Sequence, residues 1–445
     1  MHISVRLALV SLGVALTALP VAADMRVELV DGRVLNLAVE EAQIERLVLD
    51  GRVIELGPRA DAPGDKDETA TTPAEPETLF TSPIVDERGR RVLHVGPKRR
   101  YKRPSDAARA AEDGDIVEID AGTYRGDVAG WPQSDLVIRA KGGRVVLDAQ
   151  GKGHAGKGIW VVSGRNVIIE GIDFSRCKVA DHNCAAIRAE GADLTLRGIH
   201  SHHNEMGLLV AEDFEGQVLI EQSQFNDNGT DHDRFGIQPG HNIYVSGGDK
   251  LVLVASWLHD PIGGHNVKSR APETLILYNR IEDGDHGNGS YQIDVSEGGR
   301  AVVLGNLIGQ GPRAENSNIV AFAPETGGAD NGRLHELKVV HNTIVNTRHW
   351  GTFVHNFSNV PAIVRNNLFV GRGDVVEGEA IEVGNVRTNG PAENDPAALD
   401  AGVAGKDVPA ADITASYVYE HPMKLRARRT LGKAPDAGAY EATVE

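Results

Sequence analysis

Three copies of one short segment constrain this chain more than any other feature. His241-Asn242-Ile243-Tyr244 returns as His265-Asn266-Val267-Lys268 about 24 residues later, and as Tyr291-Gln292-Ile293-Asp294 about 26 residues after that. Like falls on like in each copy, as in stacked units where every repeat touches only its neighbours. If each copy is one strand of a coil, alternation turns Ile243, Val267 and Ile293 inward and Tyr244, Lys268 and Asp294 outward. The expected result is a polar, charged row on a flat outer sheet.

The same logic extends from Leu136 to about Val370, where short strand, turn, short strand and polar loop alternate. Copies such as NVIIEGIDF (166–174), DLTLRGIH (193–200), TLILYNRI (274–281), AVVLGNLI (301–308) and LKVVHNTI (337–344) end at intervals of roughly 23 to 36 residues, with loop insertions in the longer gaps. Asn279, Asn306, Asn342 and Asn367 each precede the terminal Ile or Phe of a copy by two positions. Stacked asparagines of this kind bond to backbone groups of neighbouring coils and form an internal ladder. Fifty-one glycines and only 5% aromatic residues fit many short strands and tight turns. A chain of 445 residues, long for one globular core, is ordinary for a solenoid.

The flanks read differently. Residues 1–23 carry a short basic start, an apolar run and Val21-Ala22-Ala23 before Asp24, the pattern of a cleaved export leader, so a periplasmic or secreted location is expected. No later run is long and apolar enough for a membrane span. Residues 24–57 form a small β unit with Asp-Gly turns, and 58–91 a linker and lead-in whose first part is rich in Pro, Thr and charge. The solenoid spans 92–374, opened by a short capping helix at Asp106–Ala111, and 375–445 forms a C-terminal covering segment in which Arg426 to Arg429 reads as solvated surface. Cys177 and Cys184 are the only cysteines; export permits a disulfide between them, and two packed thiols are the other reading. A net charge of −17 argues against nucleic acid as a partner. A monomer is expected.

The Ser-Asp-Ala-Ala cap at 105–108, the Asp-Gly-Asp-Ile and Ala-Gly-Thr-Tyr turns, the Asn-x-Ile/Phe repeats and the late Asp436-Ala-Gly-Ala-Tyr-Glu441 resemble right-handed parallel β-helix proteins of the pectate-lyase-like superfamily. The resemblance covers about residues 92 to 441 and implies an all-β, single-stranded right-handed parallel β-helix with an N-terminal helical cap. Val267-Lys268-Ser269 resembles the Lys-Ser motif of the chondroitinase B and alginate lyase group of polysaccharide lyases. In that group the lysine removes the C5 proton of a uronic acid and an arginine on the next coil assists. By resemblance Lys268 is the base, and an acidic polysaccharide the partner. The next coil, however, carries Tyr291-Gln292-Ile293-Asp294 where that arginine is expected.

Read from the residues alone, proton abstraction beside a carboxylate needs a base, a cation for the substrate carboxylate and an acid for the leaving oxygen. Lys268, Arg270 and Tyr244 offer these on two adjacent coils, about 4.8 Å apart. Asp294, on the other side of Lys268, opposes a base role or simply pairs with it. C5 epimerisation uses the same abstraction. Hydrolysis needs paired carboxylates, for which Asp294 with Glu325 or Glu297 are candidates. A glycan-binding or envelope scaffold using the same row is the non-catalytic alternative. His265, Asn266, Tyr291, Gln292, Arg188 and His355 are the expected substrate contacts, and Trp160, Tyr291, Phe322 and Trp350 are candidate sugar platforms. No cofactor is implied, although Asp283-Gly284-Asp285-His286-Gly287-Asn288 alternates oxygen ligands suited to calcium. The histidines at 200, 202 and 203 and the Asp231-His232-Asp233 turn read as solvated turns in which metal binding is conceivable.

Overall fold

The computed structural model describes residues 89–441, apart from 231–234, 285, 327–330, 390–395, 405–407 and 411, and the backbone of six short strands before residue 56. The expected leader and linker lie largely outside the described residues, and the Asp231-His232-Asp233 turn wholly so. The chain divides into two compact units, 1–74 and 75–445. In the first, Ala22–Leu29 pairs antiparallel with Val34–Glu40, and Arg46–Leu49 with Arg52–Glu55.

The second unit is a parallel β-helix in which each full coil contributes three strands. One strand of every coil enters a ten-stranded sheet that runs from Ala129–Trp131 to Asp374–Glu377. The other two, for example Lys250–Val254 and Trp257–His259, stack in parallel on their counterparts, Glu273–Leu277 and Arg280–Glu282. Between these two families the chain turns a corner on one residue in the left-handed region: Gln222, Ala255, Tyr278, Gly305, His341 and Asn366 have φ between 46° and 67°. A single residue with positive φ reverses the pleat without lengthening the loop.

The residue after the corner is where the asparagines stand. Asn306 Nδ2 donates to Ile276 O at 2.8 Å and to Asn342 Oδ1 at 2.9 Å, while its Oδ1 accepts from the backbone N–H of Asn279 at 2.8 Å. Asn279, Asn342 and Asn367 repeat the pattern. This is the expected ladder, and it satisfies corner backbone groups that the coil geometry would otherwise strand in the core. Aliphatic side chains fill the interior, with Trp131, Trp160 and Phe174 stacked edge-on near the start.

The helix Pro104–Ala110 buries Pro104, Ala107 and Ala108 against the first strands. It begins close to the expected position, and Asp106 accepts from the Arg103 backbone N–H as an N-terminal lock. At the far end, Asp374–Glu377, Ala380–Val383 and Val386–Thr388 add one more coil beyond position 374, where the residue pattern fades. The remaining tail folds back along the outside: Ile413, Ala415, Tyr417 and Leu425 pack on Val254, Leu277, Tyr278 and Leu304. Arg428 is not solvated as expected. Its side chain is 3% exposed and pairs with Glu441 at 2.6 Å, anchoring the tail. Cys177 and Cys184 form a disulfide.

Candidate active site

The register of the ten-stranded sheet places the expected row in one line. Ile243, Val267 and Ile293 are in register and fully buried, and Tyr244, Lys268 and Asp294 stand beside one another. Arg188 lies two rungs before Tyr244, and His355 two rungs after Asp294, in the same line. Arg270, one residue beyond its strand, turns back over Tyr244: Nη1 donates to Tyr244 Oη at 2.5 Å, and the guanidinium lies 5.5 Å from the ring centroid.

The cations converge on a carboxylate from another coil. Glu325, in the turn after the strand Asn318–Phe322, accepts from Lys268 Nζ at 2.7 Å and from Arg270 Nε and Nη2 at 2.8 and 3.0 Å. Asp294 Oδ2 lies 3.6 Å from Lys268 Nζ and accepts from Ser296 Oγ at 2.8 Å. Two oxygens so close to one ammonium, one each from Asp294 and Glu325, are at most about 6 Å apart. Arg333 closes the cluster, pairing with Glu297 at 2.7 Å and donating to Arg270 O at 2.8 Å.

The environments of these two carboxyls differ sharply. Asp294 is 2% exposed, and burial, reinforced by Glu325, pushes it up to about 6 against the pull of Lys268. Burial also acts on Glu325, but Lys268 and Arg270 outweigh it and hold that group below the usual range. For Arg270 burial is likewise outweighed, here by Tyr244, Glu325 and Glu297, which push its pKa up.

Behind the row, His241, His265 and Tyr291 stack ring on ring at 4.8 and 4.9 Å. Each histidine Nδ1 accepts the backbone N–H of the next copy, from His265 at 2.8 Å and from Tyr291 at 3.0 Å. Burial, with His241 and Lys268, pushes His265 well below its usual value, so its ring is neutral near pH 7 and presents Nε2 to Asp294 Oδ2 at 3.5 Å. His265 therefore supports Asp294 from below.

Several expected contacts are corrected. Asn266 and Gln292 are fully buried, and Asn242, Asn266 and Gln292 form a second amide ladder with 2.7 Å steps. They hold coils together and cannot meet a substrate. Tyr291 is half-buried against His265 and is no open platform. Trp160 and Phe322 belong to the core; Trp350 alone of these four is exposed, at 54%. Asp283, read as part of a solvated turn whose oxygens would also suit calcium, is fully buried and accepts from the Gly311 backbone, while Asn288 caps Gly263 N–H and Asp285 lies outside the described residues. Arg333 and Ser296 were not visible as site residues, because neither stands on the repeated strand. Glu325 appeared only as a hydrolytic partner; its position one turn past the strand of the next coil is the signal that places it here.

No family model matches the chain, and no curated protein is significantly similar to it. Among solved structures, pectate lyase Pel9A aligns with a TM-score of 0.55 at 16% identity, over 80% of this chain and 97% of that one. The fold is a right-handed parallel β-helix. An alginate lyase from Paenibacillus sp. strain FPU-7 (TM-score 0.38, 14% identity, 62% of this chain and 95% of that one) also aligns. So does the A-module of the Azotobacter vinelandii mannuronan C-5 epimerase AlgE6 (0.40, 15%, 64% and 94%). At such identities the likeness is one of fold, and the chemistry rests on the residues of the row.

Proposed function

We propose that this chain is an exported protein that binds an acidic polysaccharide along the outer row and removes the C5 proton of a uronic acid. The carrying observation is the convergence of Lys268 and Arg270 on one carboxylate, that of Glu325, beside the Tyr244 hydroxyl. A uronate carboxylate entering the row takes the place of Glu325 on Arg270. Lys268 first passes a proton from its ammonium to the Asp294 carboxylate, 3.6 Å away, and as the neutral amine accepts the C5 proton, while Arg270 stabilises the negative charge that moves onto the substrate carboxylate. The electron pair forms the C4–C5 double bond as the C4–O bond breaks, and Tyr244 protonates the leaving oxygen. Return of a proton to the opposite face of C5 gives epimerisation from the same intermediate. The apolar leader and the Cys177–Cys184 disulfide support export, and no helix among the described residues is long and apolar enough to cross a membrane.

Hydrolysis is the second reading, favoured by one observation: Asp294 and Glu325 are close, with pKa values moved in opposite directions, as a general acid and its partner require. The two readings separate in one experiment. The full chain is incubated with alginate, pectate, glycosaminoglycans and bacterial exopolysaccharides. Elimination yields the ultraviolet absorbance of an unsaturated uronide and is lost in Lys268→Ala and Arg270→Ala. New reducing ends without that absorbance indicate hydrolysis. Deuterium uptake at C5 without cleavage indicates epimerisation. Tight binding with none of these, unchanged in Lys268→Ala, eliminates the catalytic proposal and leaves a glycan-binding scaffold.

A further inference from the structure

On a different sheet from the Lys268 row, three potential ligands come together on two consecutive coils. Asp173 on Ile172–Ser175 stands in register with His200 on His200–His202, and His202 follows on the same strand. One Asp173 oxygen lies 3.1 Å from His200 Nδ1, and the other 3.1 Å from His202 Nε2. All three ligand atoms lie within 4.8 Å of one another, and the two imidazoles stack at 4.4 Å.

His200 is oriented by a further neighbour. Asn226 Nδ2 donates to Asp227 Oδ2 at 2.5 Å, which turns the Asn226 Oδ1 toward His200 Nε2 at 2.9 Å. His200 thus meets Asn226 through Nε2 and the Asp173 carboxylate through Nδ1. Ligands each about 2.1 Å from a divalent ion stand about 3.0 to 3.4 Å apart, which matches both contacts. Asn226 is then the outer partner that orients a metal-binding histidine. Arg144, mostly exposed, donates to the same Asp173 Oδ2 through Nε at 3.1 Å and through Nη2, so an ion bound at this oxygen displaces its guanidinium.

We propose that Asp173, His200 and His202 form a binding site for a divalent first-row transition ion, with Zn2+ the best match to two imidazoles and one carboxylate. Three protein ligands leave a position open to water or a substrate oxygen. The site ties two coils of the third strand family together and is independent of the uronate chemistry.

The test uses the full chain, free of added histidines and stripped with a chelator. Titration with Zn2+ by calorimetry is expected to give one saturable equivalent, and Co2+ to give a visible d–d band. His200→Ala and His202→Ala are each expected to weaken binding at least tenfold, and Asn226→Leu, which keeps all three ligands, about tenfold. Anomalous diffraction at the zinc edge from wild-type crystals locates the ion whether or not the variants fold. The proposal is overturned by absence of saturable binding, by an anomalous peak elsewhere, or by unchanged affinity in the double His200→Ala/His202→Ala variant. It is overturned equally if NMR finds His200 doubly protonated in zinc-saturated protein, since the shared cation is then a proton.

Discussion

Asp294 is the residue whose environment makes the sharpest demand, and Asp294→Asn tests it directly. The carboxyl is pushed from its usual value near 3.8 to about 6, chiefly by burial. Each unit is worth 1.36 kcal/mol, so the displacement corresponds to about 3 kcal/mol. Well below pH 4 the group is protonated in folded and unfolded chains alike, and it costs nothing. As pH rises through 4 to 6 the unfolded chain loses the proton first, while the folded chain must bury a charge. Stability is lost across that window and is lowest above it. Asparagine keeps the shape and removes the charge, and Lys268 retains Glu325 as its partner. The variant is therefore expected to gain between about 1 and 3 kcal/mol over the wild type at pH 7.5 and little or nothing at pH 4. Urea midpoints of both proteins, measured at several pH values, give the difference curve. The reasoning fails if Asp294→Asn is less stable by the same amount at every pH, because Asp294 would then be ionised throughout and its pairing with Lys268 a net stabilising contact.

Other outcomes follow from the same contacts. Asn306→Ala removes the centre of the corner ladder and strands the Ile276 carbonyl and the Asn279 N–H, so a loss of about 3 to 5 kcal/mol is expected in thermal or denaturant unfolding. Glu325→Gln weakens the internal competitor for Lys268 and Arg270 and is expected to tighten acidic oligosaccharide binding about fivefold in calorimetry; weaker binding would show that Glu325 organises the cations instead. The disulfide joins residues only 7 apart, and replacing Cys177 and Cys184 with serine is expected to cost about 2.5 kcal/mol, read as a lower unfolding midpoint.

The stacked amides and rings explain why some residues that looked functional are not. Asn266 and Gln292 share the repeat position of Asn242, and repetition itself is the signature of a ladder, since a substrate meets different groups at successive subsites. His200 and Asp173 were readable in principle: aligning GIDFS with GIHSH superposes them, and strand register then puts them side by side. Asn226 was not readable, because its role depends on a side-chain orientation set by Asp227.

Local periodicity determined the fold and the line of Tyr244, Lys268 and Asp294, because in a parallel β-helix the register of one coil on the next follows from which side chains must be inside. It also placed Arg188 and His355 in that line. What the line faces was decided only in three dimensions. Glu325, Glu297 and Arg333 come from turns whose lengths vary, so no period carries their position, and the burial that separates Asp294 from Glu325 is a property of the packed coils. Sequence thus set the rungs, and tertiary packing set the charges between them.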